Sequence, residues 1–246
     1  MEENLKKHDI KTAVLVDGGF YRKRSRSLFG EKTPEQAAKD LHRYCMSLLK
    51  DKYEDRNLYR IFYYDCPPSD KIVYHPLTGK SVNLKQSPEY TWMNEFIKEL
   101  RKLRKVALRM GRMSEDGAQY QLKYDVLKKL FRKEISLEEI SSGDFQLNFK
   151  QKGVDMRIGV DISSLAFKGQ VQQIILIAGD SDFVPASKQA RREGIDFILD
   201  PMGAHINDDL FEHIDGIKSV IKNTQNKKSS KDCENAFVEG IRSQLK

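Results

Sequence analysis

Several aspartates sit where a chain of this kind could do chemistry. Asp17 directly follows the apolar run Thr12–Val16 (TAVLV). Asp180 and Asp182 follow Ile174–Ala178 (IILIA), inside Gly179-Asp180-Ser181-Asp182-Phe183. Asp155 lies in Lys152-Gly153-Val154-Asp155, and Asp161 comes six residues later. One Asp after a strand is ordinarily a helix cap or a turn residue. A converging set is different, because clustered carboxylates raise one another's pKa and destabilise the fold unless a cation neutralises them. Hard divalent cations take such oxygen ligands, and Mg²⁺ keeps several waters while using only a few carboxylates. Such an ion polarises a phosphate ester and activates the water that attacks it. Asp155 and Asp161 are about 240° apart on a regular helix, so they cannot point the same way. Either Asp155 precedes the first turn, or one of the two acts only through the other ligands. In Asp17-Gly18-Gly19-Phe20, two glycines after a buried strand either bring the backbone close to a phosphate or metal, or make an ordinary tight turn.

The elements that must position these acids alternate along the chain. Thr12–Val16, Leu58–Tyr64, Ile174–Ala178 and Ile195–Leu199 are near-continuous apolar runs, the pattern of parallel strands buried on both faces, and Val106–Met110 is a fifth candidate. Helices are expected after Thr33-Pro34-Glu35 and Ser87-Pro88-Glu89, over Val154–Phe167, over Ser181–Arg192 and near Lys123–Lys133. Asn207 or Asp208 is expected to cap a short helix through His213. The reading is α/β: an open parallel sheet flanked by helices over residues 10–220. A polar loop at 66–87 and a charged, partly helical stretch at 111–152 read as an insertion, about 66–150, and 223–246 as a flexible basic tail. In such sheets ligands bind beyond the carboxyl ends of the strands, which is where these acids lie.

Composition narrows the function classes. The chain has 246 residues and a formal charge of +7. No apolar run approaches the ~20 residues of a membrane helix, and no secretory leader is visible. Cys45, Cys66 and Cys233 are scattered, with no CxxC pair, which predicts a reducing, cytoplasmic setting rather than a disulfide scaffold or structural zinc site. GxGxxG is absent, and Gly79-Lys80-Ser81 lacks the first glycine of a P-loop. His75, His205 and His213 suggest no hydrolytic triad. Positive charge is concentrated: Lys98–Lys133 holds twelve Lys/Arg against four Asp/Glu, and Arg22, Lys23, Arg24 and Arg26 follow the Asp17 turn. A basic collar around an acidic pocket suits a polyanion, although a basic run is also an ordinary solvated helix face.

The segments VLVDGGF (14–20), QKGVDMRIGVDISSLAF (151–167) and IILIAGDSDFVPASKQARREG (174–194) resemble the NYN domain family, in its LabA-like (DUF88) group within the PIN-like nucleases. The resemblance covers residues 10–220, with 66–150 matching only in layout. It implies a Rossmann-like (PIN-like) sheet and a ribonuclease centre dependent on Mg²⁺ or Mn²⁺. By position, Asp17, Asp155, Asp180 and Asp182 would be catalytic, and with Asp161 would hold metal. Arg22, Lys23, Arg24, Arg26 and Lys152 would meet RNA, single-stranded or structured. Many members carry Asn three or four residues after the first acid, where this chain has Phe20 and Tyr21. A non-catalytic RNA-binding module on the same fold is the alternative, and homo-oligomerisation is left open.

Overall fold

The computed structural model describes residues 9–52 and 54–221, so the tail expected at 223–246, with Cys233, lies outside the described residues. Strand β1 (Asp9–Asp17) passes into helix α1 (Gly18–Phe29) without a loop, and α2 (Pro34–Leu48) leads to β2 (Asp55–Asp65). A small hairpin, β3 (Ile72–Tyr74) and β4 (Ser81–Asn83), precedes α3 (Pro88–Lys102) and β5 (Val106–Met110). A second hairpin, β6 (Arg112–Leu122) and β7 (Phe145–Lys152), carries α4 (Tyr124–Phe131) between its strands. Then come α5 (Val154–Phe167), β8 (Gln173–Ile177), α6 (Val184–Arg192), β9 (Asp196–Asp200), α7 (Asp208–Phe211) and β10 (Gly216–Ile217).

The apolar runs form one six-stranded sheet in the order β10-β9-β8-β1-β2-β5, every pairing parallel. The order runs outward in both directions from the β1–β8 pair, which makes that pair the topological switch point and puts the binding crevice at its carboxyl end. Alternate residues supply the two faces. Ala13, Leu15, Phe62, Ile174 and Leu176 pack against Ile158, Ile162 and Leu165 of α5. Val14, Val16, Ile61, Ile175 and Ile177 pack against Leu41 and Cys45 of α2 and Phe96 and Leu100 of α3. Each fully buried Leu or Ile contributes about 1.5–3 kcal/mol, so the central strands are held firmly from both sides.

The helices start where the sequence signals them. Thr33 accepts from Gln36 N and closes a capping box with Pro34 behind it, and Ser87 accepts from Tyr90 N ahead of Pro88. The expected helix over Ser181–Arg192 divides into a 3-10 turn at Ser181–Phe183 followed by α6. The insertion departs from expectation. Residues 66–87 include the β3–β4 hairpin, and 111–152 is chiefly the β6–β7 ribbon with α4 at its tip, so the inserted region is more β than helical. Its own apolar cluster is small, Val73, Leu84 and Ala118 with Tyr120 and Leu147 against them. His75 joins the two ribbons, its ring 4.7 Å from Tyr120 and 4.9 Å from Phe145. Among the described residues no helix is long and apolar enough to cross a membrane.

Candidate functional site

Val16 of β1 lies opposite Ile177 of β8, so Asp17 ends its strand beside the Ala178-Gly179-Asp180 turn. Asp17 also caps α1: its Oδ1 accepts from Phe20 N at 3.1 Å. Its pKa is raised to about 6, chiefly by burial and then by the charges of Asp155 and Asp65, against the lowering effect of the Phe20 amide. Asp155 is the second residue of α5, reaching solvent, and its carboxyl is raised by partial desolvation and then by Asp180 and Asp182. Asp180 accepts from Asp182 N at 3.2 Å and so caps the 3-10 turn. The structure therefore puts Asp155 within electrostatic reach of Asp17 on one side and of Asp180 and Asp182 on the other.

Asp161 stands apart. It shares α5 with Asp155, and the six-residue spacing turns it toward β2 and β5. There its Oδ2 accepts from Tyr64 Oη at 2.8 Å and from Arg109 Nε at 2.9 Å.

The two glycines after β1 do not form a turn; both belong to α1. Gly18 is required by packing, since a Cβ there would lie 2.5 Å from Tyr63 Cζ and 2.6 Å from Asp65 Oδ2. Gly179 is constrained in the same way: a Cβ would come within 2.5 Å of Phe20 Cε2. Phe20, one of the two positions at which the resemblance leads one to expect Asn, therefore lays its ring against Gly179.

Sequence reasoning missed Asp65, which ends β2 as Asp17 ends β1. Its buried carboxylate accepts from Arg22 Nε (2.9 Å) and Nη2 (3.2 Å), Tyr63 Oη (2.7 Å) and Cys66 N (2.8 Å). Its signal was the same strand-then-acid pattern, in LYRIFYYD. Asp200, at the end of β9, also fits that pattern but is a structural acid. Tyr44 Oη (2.6 Å) and Met202 N (2.8 Å) satisfy it, and burial raises its pKa.

The basic residues of α1 are largely occupied. Arg22 holds Asp65, Arg24 donates to Met202 O (2.7 Å), and Arg26 lies 3.6 Å from Glu89 and 3.7 Å from Glu31. Lys23 is exposed, and so is Lys152 at the end of β7. The run Lys98–Lys133 is divided by the sheet: Lys98–Lys105 precede β5 at the amino ends of the strands, whereas Arg109 and Arg112 lie at the carboxyl ends.

The donor set suits a hard divalent cation in chemistry, being carboxylate oxygens whose mutual repulsion such a charge relieves. In spacing it is open: among the described residues no three His, Cys, Asp or Glu form a group that could hold a metal ion. An ion that keeps several waters and takes few carboxylates fits this arrangement.

Comparison with curated proteins gives no match. Among solved structures, the crystal structure of a Vibrio parahaemolyticus protein of unknown function is similar at 15% identity and a TM-score of 0.45, covering 91% of this chain and 98% of that one. The NYN domain family matches residues 73–212, a span that takes in Lys152, Asp155, Asp161, Asp180 and Asp182 but begins after Asp17. That match covers more than half of the sequence, and the chain belongs to the NYN domain family, within the PIN-like nuclease superfamily.

Proposed function

We propose that the protein is a metal-dependent ribonuclease of the LabA-like group, hydrolysing RNA phosphodiester bonds at the crevice of Asp17, Asp155, Asp180 and Asp182. The observation that carries this reading is the placement of these acids around the switch point, where Asp17 and Asp155 are raised first by burial and then by neighbouring carboxylates. Perturbed carboxyls cluster at functional sites, and a divalent cation relieves the repulsion between them. Mg²⁺ or Mn²⁺ held by these carboxylates would supply Lewis acidity toward the phosphate ester and a more acidic water. The chain's own residues set the geometry. The Phe20 amide fixes one oxygen of Asp17, and the Asp182 amide fixes one of Asp180, so each carboxylate keeps a defined orientation. The Phe20 ring packs against Gly179, the residue before Asp180. With a pKa near 6, Asp17 is mainly ionised at neutral pH and takes up a proton in mild acid.

The test is cleavage of a short RNA in Mn²⁺, with single-stranded DNA and a phosphomonoester alongside. Asp17→Asn and Asp155→Asn should each lower the rate by at least ~100-fold while the circular dichroism spectrum is unchanged. Equal cleavage by Asp17→Asn and wild type would end this mechanism. The open spacing of the acids and the ring at Phe20 favour one second reading, a non-catalytic RNA-binding module. That reading predicts salt-sensitive binding in EDTA and no turnover with any metal.

A further inference from the structure

We propose that a single polynucleotide strand is bound in the groove between β5, the foot of the β6–β7 ribbon and α5, and not along α1. This rests on the nucleic-acid reading above and says which face of the molecule the strand occupies. The groove has a volume of about 900 Å³ and is lined by Arg109, Arg112, Lys152, Met156, Arg157 and Val160, with Asp161 at its edge.

Three of its four cations are built in without a carboxylate partner among the described residues. Arg112 and Lys152 are direct partners across the β6–β7 ribbon, and like charges placed opposite each other destabilise a strand pair. Among the described residues no carboxylate pairs with Arg112, Lys152 or Arg157. Arg109 is pre-oriented: its Nε is tied to Asp161, its guanidinium lies 5.1 Å over the Phe62 ring, and its Nη nitrogens have no partner among the described residues. Gly153 begins α5 with no side chain to cap the helix amides. An anion is the missing partner for every one of these groups. Met156 and Val160, 75% and 60% exposed, add apolar surface that inorganic phosphate has no use for but a ribose or base does.

The groove also adjoins the acids. Lys152 ends β7, Asp155 and Arg157 lie in the first turn of α5, and the Cys66 thiol feels Asp65, Arg157 and Asp155. A strand seated on the arginines reaches the start of α5, where Asp155 lies on the side of the helix turned away from the groove. The α1 face offers the opposite balance, since its arginines are already held by Asp65, Glu89, Glu31 and a backbone carbonyl.

The experiment is fluorescence anisotropy of a labelled 12-nucleotide single-stranded RNA in EDTA, titrated at several salt concentrations. It compares wild type, the triple variant Arg112→Gln/Lys152→Gln/Arg157→Gln and the double variant Lys23→Gln/Arg26→Gln. At about 0.7 of slope per phosphate contact, the triple variant should lose roughly two from the slope of log K against log salt, and at least tenfold in affinity. The double variant should stay within about twofold of wild type. Melting temperature controls for folding, and in the triple variant it should not fall, because an unfavourable cation pair is removed. Wild-type binding by the triple variant, a larger loss in the double, no RNA binding by wild type, or equal competition by poly-glutamate would each overturn the groove. Cleavage separates the two proposals. Groove-dependent binding without turnover in Mn²⁺ ends the nuclease reading alone, while cleavage with an unchanged KM in the triple variant ends the groove alone.

Discussion

The Asp17 carboxyl carries a signed consequence for stability. Its ordinary value is 3.8, and in the folded chain it rises to about 6. The folded state therefore binds the proton more tightly than the unfolded state does. The stabilisation this gives is complete below about pH 3.8 and is lost as pH rises through about 6, which corresponds to about 3 kcal/mol. Asn is as good a helix cap as Asp, so Asp17→Asn keeps α1 capped and removes the loss. In EDTA the variant should melt higher than wild type at pH 7.5, and the difference should vanish near pH 4. The buried Arg22–Asp65 pair gives a second expectation. Removing one partner of a buried pair costs about 3–5 kcal/mol, so Arg22→Gln should lower the urea midpoint sharply. Asp17 and Asp180 were legible in the sequence because a hydrophobic strand ending in an acid is a local pattern. Asp65 shows the same pattern, but its partner lies 43 residues away, and a distance of that kind is fixed only by folding. Asp161 was legible as an acid, though its bonds to Tyr64 and Arg109 were not.

Elements with their own signals were the most readable. α2 and α3 announce themselves by Thr33-Pro34 and Ser87-Pro88, and α5 runs over the span its apolar spacing indicates. The β6–β7 ribbon gave no such signal, because it stands off the sheet and its strands are mostly polar on both sides. The double glycine left a close backbone approach and a tight turn both open for a related reason: what makes Gly18 necessary is Tyr63 and Asp65 on the next strand, contacts with no local trace. The packing of α1 over the Gly179 turn is testable as a pair. Gly179→Ala alone should cost about 1–3 kcal/mol through overpacking against Phe20. Gly179→Ala combined with Phe20→Ala should cost clearly less than the sum of the two single changes, as a double-mutant cycle by urea denaturation would measure.

At the scale of the molecule, the net charge of +7 conceals a division made by the sheet. Acids gather at the carboxyl end of the central strands, while the basic run is split between the two ends of β5. The family-matched span 73–212 contains neither β1 nor β2, although Ala13–Val16 of β1 have no accessible surface. That span on its own should lack a cooperative thermal transition, which calorimetry would show, because β8 loses the neighbour that covers one of its edges. The same insertion of β1 between β2 and β8 sets a schedule for synthesis. The side chains of Thr12 and Gln173 meet across 161 residues of intervening chain, and β8 completes the crevice. At about 5–20 residues per second, β1 waits roughly ten to thirty seconds for its partner to be made. Until then Val16 and Ile177 have not paired, so a nascent chain still on the ribosome, surrounded by RNA, holds an unassembled crevice.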